Sequence, residues 1–199
     1  MIRRSLIVLA ALVAAIVLVP SALSARVHVR VEGQTRTLFG PSEPFLPGVS
    51  NALEALDAAS IVGEFYFHVT SASFGSYVDQ IGRYAAGGSS GWVFKVNGVS
   101  PPVGADAVQL KDGDTVLWYW ATFGPSGGPP TLLMKRSGRC YSVVAQDDSG
   151  KSSVARGAVL HVGDRRAVAT RNGRACVGPH LGLLVRATMD GAVRSNALP

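Results

Sequence analysis

Val27, Val29 and Val31 alternate with His28, Arg30 and Glu32. A side-chain period of two puts the valines on one face of a strand and the polar residues on the other. Gly33-Gln34 turns the chain, and residues 35–39 return as a second strand. Leu53 and Leu56 lie on one face of a short helix over residues 51–59, with Ser50 at the N-cap position. Residues 64–70 alternate again. Residues 76–81 read as a short strand or hook, and residues 85–91 as a glycine loop. Trp92, Phe94 and Val96 share one face of the next strand, with Lys95 on the other. Asn97-Gly98 and Asp112-Gly113 supply turns. In the strand that follows, over residues 115–121, both faces are apolar: Val116, Trp118 and Trp120 on one, Leu117 and Tyr119 on the other. Such a strand is central, or has a face covered by a helix. One helix on a mixed sheet predicts an α+β layout.

The pattern changes after Gly124-Pro125-Ser126-Gly127-Gly128-Pro129-Pro130, which reads as a linker over residues 125–130. Beyond it, short strands are expected at residues 140–145, 154–160, 167–170, 175–177, 183–188 and 192–196. Turns fall at Asn172-Gly173 and Asp190-Gly191. No segment there has helical periodicity, so residues 131–199 are expected to form a small all-β sandwich. Cys140 and Cys176 are the only cysteines in the chain. In an exported protein they pair most simply as one disulfide, worth about 3–4 kcal/mol on a chain-entropy argument; in a reducing compartment they stay free thiols.

Export is the expectation from the N-terminus. Arg3 and Arg4 precede an uncharged apolar run from Leu6 to Val19, then Pro20 and the small residues Ser21, Ala22, Ser24 and Ala25. This is the order of a secretory signal peptide over residues 1–25, with an uncleaved membrane anchor as the alternative. Either way the remainder is expected outside the cytoplasm, extracellular or at the cell surface.

Charge is uneven. Residues 26–129 hold six Lys/Arg and nine Asp/Glu, whereas residues 130–199 hold eleven Lys/Arg and four Asp. The basic C-terminal part admits an anionic cell-wall polymer or lipid surface as partner. It equally admits a solvated basic face, or docking of the two halves on each other. Nucleic acid is not expected, since no recognition motif accompanies the charge.

Little in the chain suggests catalysis. Gly87-Gly88-Ser89-Ser90-Gly91 satisfies the G-x-S-x-G pattern, but a nucleophile elbow needs a strand before it and a helix after it. Here the motif sits in a glycine loop leading into a strand. His28, His68, His161 and His180 show no ligand spacing, and Asp112-Gly113-Asp114 reads as a turn rather than a Ca²⁺ loop. No catalytic residue and no metal site are therefore assigned. The density of aromatics is more informative. Most belong to the core, but those left over, with the loops at residues 85–90 and 99–104, make a candidate ligand surface. The candidate ligand-binding residues are Tyr77, Trp92, Asn97 and Tyr119.

Four blocks carry a family likeness: Ala52-Leu53-Glu54-Ala55-Leu56-Asp57, Phe74-Gly75-Ser76-Tyr77-Val78-Asp79-Gln80-Ile81, Gly91-Trp92-Val93-Phe94-Lys95-Val96-Asn97-Gly98, and the run from Gly104-Ala105 through Leu110-Lys111-Asp112-Gly113-Asp114 to Val116-Leu117-Trp118-Tyr119. In order and spacing, residues 26–124 resemble the transcobalamin-like C-terminal domain family, whose bacterial members are mostly exported proteins of unknown function. The resemblance implies a β-grasp-like fold, one helix on a mixed sheet. It also implies cobalamin as the one cofactor to consider, opposite a separate helical partner, since this chain has no large helical domain. Residues 131–199 resemble small Ig-like or carboxypeptidase-regulatory-like surface modules, through Thr170-Arg171-Asn172-Gly173-Arg174-Ala175 and Val185-Arg186-Ala187. Together these readings give an exported, non-enzymatic binding module for a small molecule or an envelope protein, with a structural cell-envelope spacer as the alternative.

Overall fold

The computed structural model describes residues 24–72, 75–125 and 127–199. The expected signal peptide lies, up to residue 23, outside the described residues. The first half forms β1 (Ala25–Glu32), β2 (Thr37–Phe39), β3 (Phe45–Val49), α1 (Ala52–Gly63), β4 (Phe67–Ala72), β5 (Gly75–Ile81), β6 (Tyr84–Ala85), β7 (Ser90–Val96) and β8 (Thr115–Thr122). The second half forms β9 (Thr131–Ser137), β10 (Cys140–Gln146), β11 (Ser152–Val154), β12 (Val159–Val162), β13 (Arg165–Val168), β14 (Arg174–Ala175), β15 (Val185–Thr188) and β16 (Ala197–Leu198).

In the first sheet β1 runs parallel to β8, with Val29 beside Val116 and Val31 beside Trp118. It pairs antiparallel with β2 and β3 on its other side. β7 pairs antiparallel with β8, setting Trp92 opposite Trp120 and Phe94 opposite Trp118. Val27, Val29 and Val31 are wholly buried, and α1 lies against them with Ala52, Ala55, Leu56 and Ala59. Small alanines on the inner face let the helix axis approach the valine row closely. The helix begins one residue later than expected. Asn51 is its N-cap, accepting the Glu54 N–H at 2.9 Å, while the Glu54 carboxylate accepts the Ser50 N–H at 2.7 Å. This reciprocal arrangement satisfies two donors of the helix start. At the other end Glu64, at φ 50°, returns its N–H to Ser60 O.

The expected α+β, β-grasp-like class is corrected by this architecture. Among the described residues there is one helix against sixteen strands, arranged in four separate sheets. The chain is mostly β and sandwich-like. Two features account for the difference. β4, β5 and β6 leave the first sheet and form a sheet of their own. The face of the first sheet that alternation leaves polar is not open: the second half packs onto it, where Leu117, Tyr119 and Ala121 meet Val193. The helix thus covers one face only, and sheet-against-sheet packing sets the layering.

In the second half, the sheet of β9, β10, β11 and β14 and the sheet of β12, β13, β15 and β16 enclose a second core. Leu132, Met134, Tyr141 and Val143 face Leu160, Val162, Val185 and Ala187. Cys140 and Cys176 form a disulfide, with a sequence separation of 36 residues. The strand expected at residues 192–196 is replaced by an irregular segment whose side chains do the pairing. The Asn196 amide accepts from Met134 N–H at 2.8 Å and donates to Met134 O at 3.1 Å, and Ser195 Oγ accepts from Ala187 N–H at 2.8 Å.

The junction of the halves is ionic at its centre. Glu32, wholly buried on β1, receives Arg194 Nε at 3.0 Å, Arg30 Nη1 at 3.3 Å, the Thr37 hydroxyl at 3.0 Å and an Nη of Arg186. Arg30 also reaches Glu43 at 3.0 Å and donates to Arg194 O at 2.6 Å. Lys95, wholly buried on β7, donates to Thr131 Oγ1 at 3.2 Å, Gln146 O at 3.2 Å and Asp147 O at 2.8 Å.

Removing one partner of a buried ionic cluster leaves the others uncompensated. Glu32→Gln keeps the shape but strands three guanidinium groups, and should cost about 3–5 kcal/mol in urea unfolding. A loss below about 1 kcal/mol would mean the cluster is solvated, as an exposed pair is. Replacing Cys140 and Cys176 together by alanine should cost about 3–4 kcal/mol in the same measurement, the loop-closure entropy returned to the unfolded chain.

Candidate functional site

A cleft of about 420 Å³ opens in the first half where β5, β7 and β8 meet the loop over residues 100–105. Its apolar wall comes from Phe94 and Trp118, whose rings stack at 4.9 Å, with Val103 and Phe123 at the rim. Val103 and Phe123 are both exposed, at 48% and 42%. Its polar side chains include Ser76, Tyr77, Ser100, Tyr119 and Asp148. Asp148 belongs to the turn after β10, so the second half completes a cleft built mainly by the first. Tyr119 donates to Asp148 Oδ1 at 3.3 Å, Ser100 Oγ donates to the same oxygen at 3.3 Å, and Ser100 N–H donates to Asp148 O at 2.8 Å.

These contacts set the electrostatics. Burial, and then the negative charge of Asp148, hold the Tyr119 hydroxyl well above the ordinary tyrosine range, so it stays a neutral donor. Burial followed by Asp79 raises Tyr77. Burial lowers Lys95, opposed by Asp148, whose Oδ1 lies 3.6 Å from Nζ. With Asp148 half-exposed at the rim, the cleft offers an aromatic wall and one carboxylate that faces both protein and solvent.

Three of the four expected ligand residues, Tyr77, Trp92 and Tyr119, are brought together at this cleft. Trp92 and Trp118, each 2% exposed, and Tyr119, 1% exposed, contribute little open surface and mainly back the cleft; Trp92 Nε1 donates to Tyr84 O at 2.8 Å. Asn97 is not part of it. It occupies the tight turn after β7 at φ 51°, accepts from Thr115 N–H at 2.9 Å and donates to Asp114 Oδ1 at 2.8 Å. A left-handed conformation and a full set of local bonds make it a turn residue. Of the two expected loops, residues 100–105 line the main cleft, while Gly88, Ser89 and Ser90 line a neighbouring one of about 220 Å³ with Tyr77 and Phe123. Phe94 was legible as a strand aromatic and Val103 as part of the expected loop at residues 99–104; Phe123, just past β8, was not singled out. Asp148 carried no signal beyond its turn, because only docking of the halves brings it there.

The histidines are spent singly. His28 Nδ1 lies 2.6 Å from Glu43 O, His68 Nδ1 2.6 Å from Asp79 Oδ1, His161 Nε2 2.8 Å from Thr188 Oγ1 and His180 Nε2 2.8 Å from the Tyr141 hydroxyl. Among the described residues no three His, Cys, Asp or Glu groups stand together as metal ligands. Ser89 lies in a turn between two strands, β6 and β7. A second cleft of about 240 Å³ lies at the junction, between Gln34, Trp120 and Arg194; Trp120 Nε1 is a buried donor with no partner among the described residues.

Residues 50–122 match the family model of DUF4430, a domain of unknown function. The matched segment runs from the residue before the α1 cap to the end of β8, and so carries most of the main cleft. It leaves out β1, which contributes the valine row and pairs with β8. A crystal structure from Ruminococcus gnavus ATCC 29149, of a protein whose description proposes metal binding, aligns over 48% of this chain and 95% of its own, at 16% identity and a TM-score of 0.38. No curated protein matches the chain.

The Lys95 environment generates a pH dependence. Its folded-state pKa is lowered, so as pH rises toward about 10.4 the folded chain releases this proton before the unfolded chain does. In that window the unfolded state binds more protons, and the contribution of Lys95 to stability increases with pH. The stability of wild type relative to Lys95→Met should therefore rise from pH 7 toward pH 10, measured by urea midpoints below the onset of tyrosine ionisation. A flat difference would mean that Lys95 titrates at the same pH in both states.

Proposed function

We propose that the protein is an exported, non-enzymatic binding module, and that the cleft between Phe94, Trp118, Tyr119, Val103 and Asp148 takes a small amphipathic molecule or a short peptide. The observation that carries this reading is the combination at one opening: a stacked aromatic pair, exposed apolar rim residues, and a carboxylate already hydrogen-bonded by two side chains. Apolar walls with a few convergent polar groups are the ordinary composition of a ligand site. A ligand with an apolar body and a cationic or donor end fits it best, since Asp148 supplies the only carboxylate in the lining. The disulfide supports an oxidising location outside the cytoplasm. We read the segment matched by DUF4430 as transcobalamin-like on the four sequence blocks described above; corrinoid binding with a separate helical partner rests on that resemblance alone.

One observation favours a second reading, a structural spacer of the envelope. Trp92, Trp118 and Tyr119 are each at most 2% exposed, so most of the aromatic surface serves packing. Titration with cobalamin, muropeptides and amphipathic amines, followed by tryptophan fluorescence and calorimetry, separates the two. Under the binding reading one of these classes shifts the emission of Trp118 with saturable heat, and Asp148→Asn weakens a cationic ligand about tenfold, the loss of one charge-assisted contact. No saturable response from the folded protein to any of them supports the spacer.

A further inference from the structure

The segment between β14 and β15 presents an unusual surface. Leu181 is 100% exposed at its tip, and Leu183 and Leu184 follow at 48% and 44%. A solvent-facing leucine on a floppy loop would mean little, but this loop is fixed. Arg165 donates from Nη1 to Val177 O at 2.9 Å and from Nη2 to Pro179 O at 2.7 Å. His180 is held at both ring nitrogens, by Gly178 O at 2.7 Å and by the buried Tyr141 hydroxyl at 2.8 Å. The disulfide at Cys176 anchors the entry. The tip itself is a tight turn closed by Leu183 N–H on His180 O at 2.9 Å, with Gly182 at φ 75° in the third position. That conformation requires glycine there and presets Leu181 pointing outward at little further entropic cost on binding.

Cations flank the leucines. Arg136 and Arg139 line the roughly 720 Å³ cleft that Leu181, His180 and Pro179 form with the end of the β9–β10 hairpin. Arg165 lies beneath the loop, its guanidinium on the carbonyls of Val177 and Pro179, and all three arginines are exposed. Asp164 sits in the turn before β13, next to Gly163, which approaches Leu183. An apolar tip alone would fit many partners. A rigid apolar tip flanked by guanidinium groups matches the boundary between acyl chains and anionic headgroups, where arginine meets phosphate and leucine is buried below it.

We propose that this loop docks the protein on an anionic lipid bilayer, Leu181 entering the headgroup boundary and Arg136 and Arg139 binding the phosphates. The surface is independent of the aromatic cleft. Tyr141 stands near one end of β10, and Gln146, next to the Asp147-Asp148 turn, stands at the other, about 17 Å away along the strand. A protein docked by the loop keeps its cleft open to solvent.

The test uses the chain from Ala25 onward, which holds every residue of both cores, with vesicles of phosphatidylcholine alone or mixed with phosphatidylglycerol. Sedimentation should show binding to the mixed vesicles only, weakening as salt rises. Leu181→Ser should weaken it about tenfold or more, as expected for one exposed leucine no longer buried. Arg136→Glu with Arg139→Glu should weaken it comparably, and thermal melts of all variants should match wild type because these side chains are exposed. The proposal is overturned if wild type ignores the mixed vesicles, if it binds neutral vesicles equally, or if Leu181→Ser binds as wild type does, which would leave only charge adsorption. It is also overturned if the protein self-associates in solution and Leu181→Ser abolishes this, since a second copy would then cover the loop.

Discussion

Burying Glu32 on the outer face of the first sheet is the constraint from which the rest of the molecule follows. A carboxylate removed from water is tolerable only when it is matched by cations and its oxygens are fully hydrogen-bonded. Here two of its three guanidinium partners, Arg186 and Arg194, come from the second half of the chain. Separating the halves would leave Glu32 with only Arg30 and Thr37, and Arg186 and Arg194 without their counter-charge. Lys95 imposes the same condition further along the sheet. Its acceptors are all on the second half, and they include two backbone carbonyls at the end of β10. Between these two charged anchors Tyr119, Leu117 and Ala121 meet Val193, so apolar burial is concentrated between points that fix the register of docking.

That register determines the candidate site. Asp148 reaches the aromatic cleft because Lys95 holds the neighbouring carbonyl of Asp147 and Ser100 holds the carbonyl of Asp148 itself. The cleft's only acidic group is thus positioned by the same contacts that lock the halves together. Any rearrangement at the junction moves a carboxylate in the site, and a ligand contacting Asp148 is linked energetically to interdomain packing. The surplus of basic residues in the second half also divides into two groups. Arg186 and Arg194 neutralise Glu32 of the first half, whereas the other nine, Arg136 and Arg139 among them, are exposed.

Much of the local structure was legible from residue order. The alternation of Val27, Val29 and Val31, the two apolar faces of β8, the Asn97-Gly98 turn and the helix near residue 52 all follow from periods of 2 and 3.6 and from turn chemistry. Short elements were less legible. β3 contains Pro47 and Gly48, and β9 follows the Pro-rich junction, so neither shows clean alternation. Asn97 was expected in the site for its polar side chain, yet its left-handed backbone and local bonds commit it to the turn.

What the sequence determined by itself is therefore most of the longer strands and the turns, the two cysteines available to pair, and the aromatic side chains available for a site. These depend on neighbours a few residues apart, or on there being only two cysteines to join. Only the tertiary structure decided that His28, Arg30, Glu32 and Lys95 lie on a covered face, that the class is mostly β and sandwich-like, and that Asp148 enters the cleft. A charged residue in an alternating strand reads as solvent-facing, because water is its cheapest partner within the span of local sequence. The cations and carbonyls that replace water for Glu32 and Lys95 lie as much as 162 residues away along the chain.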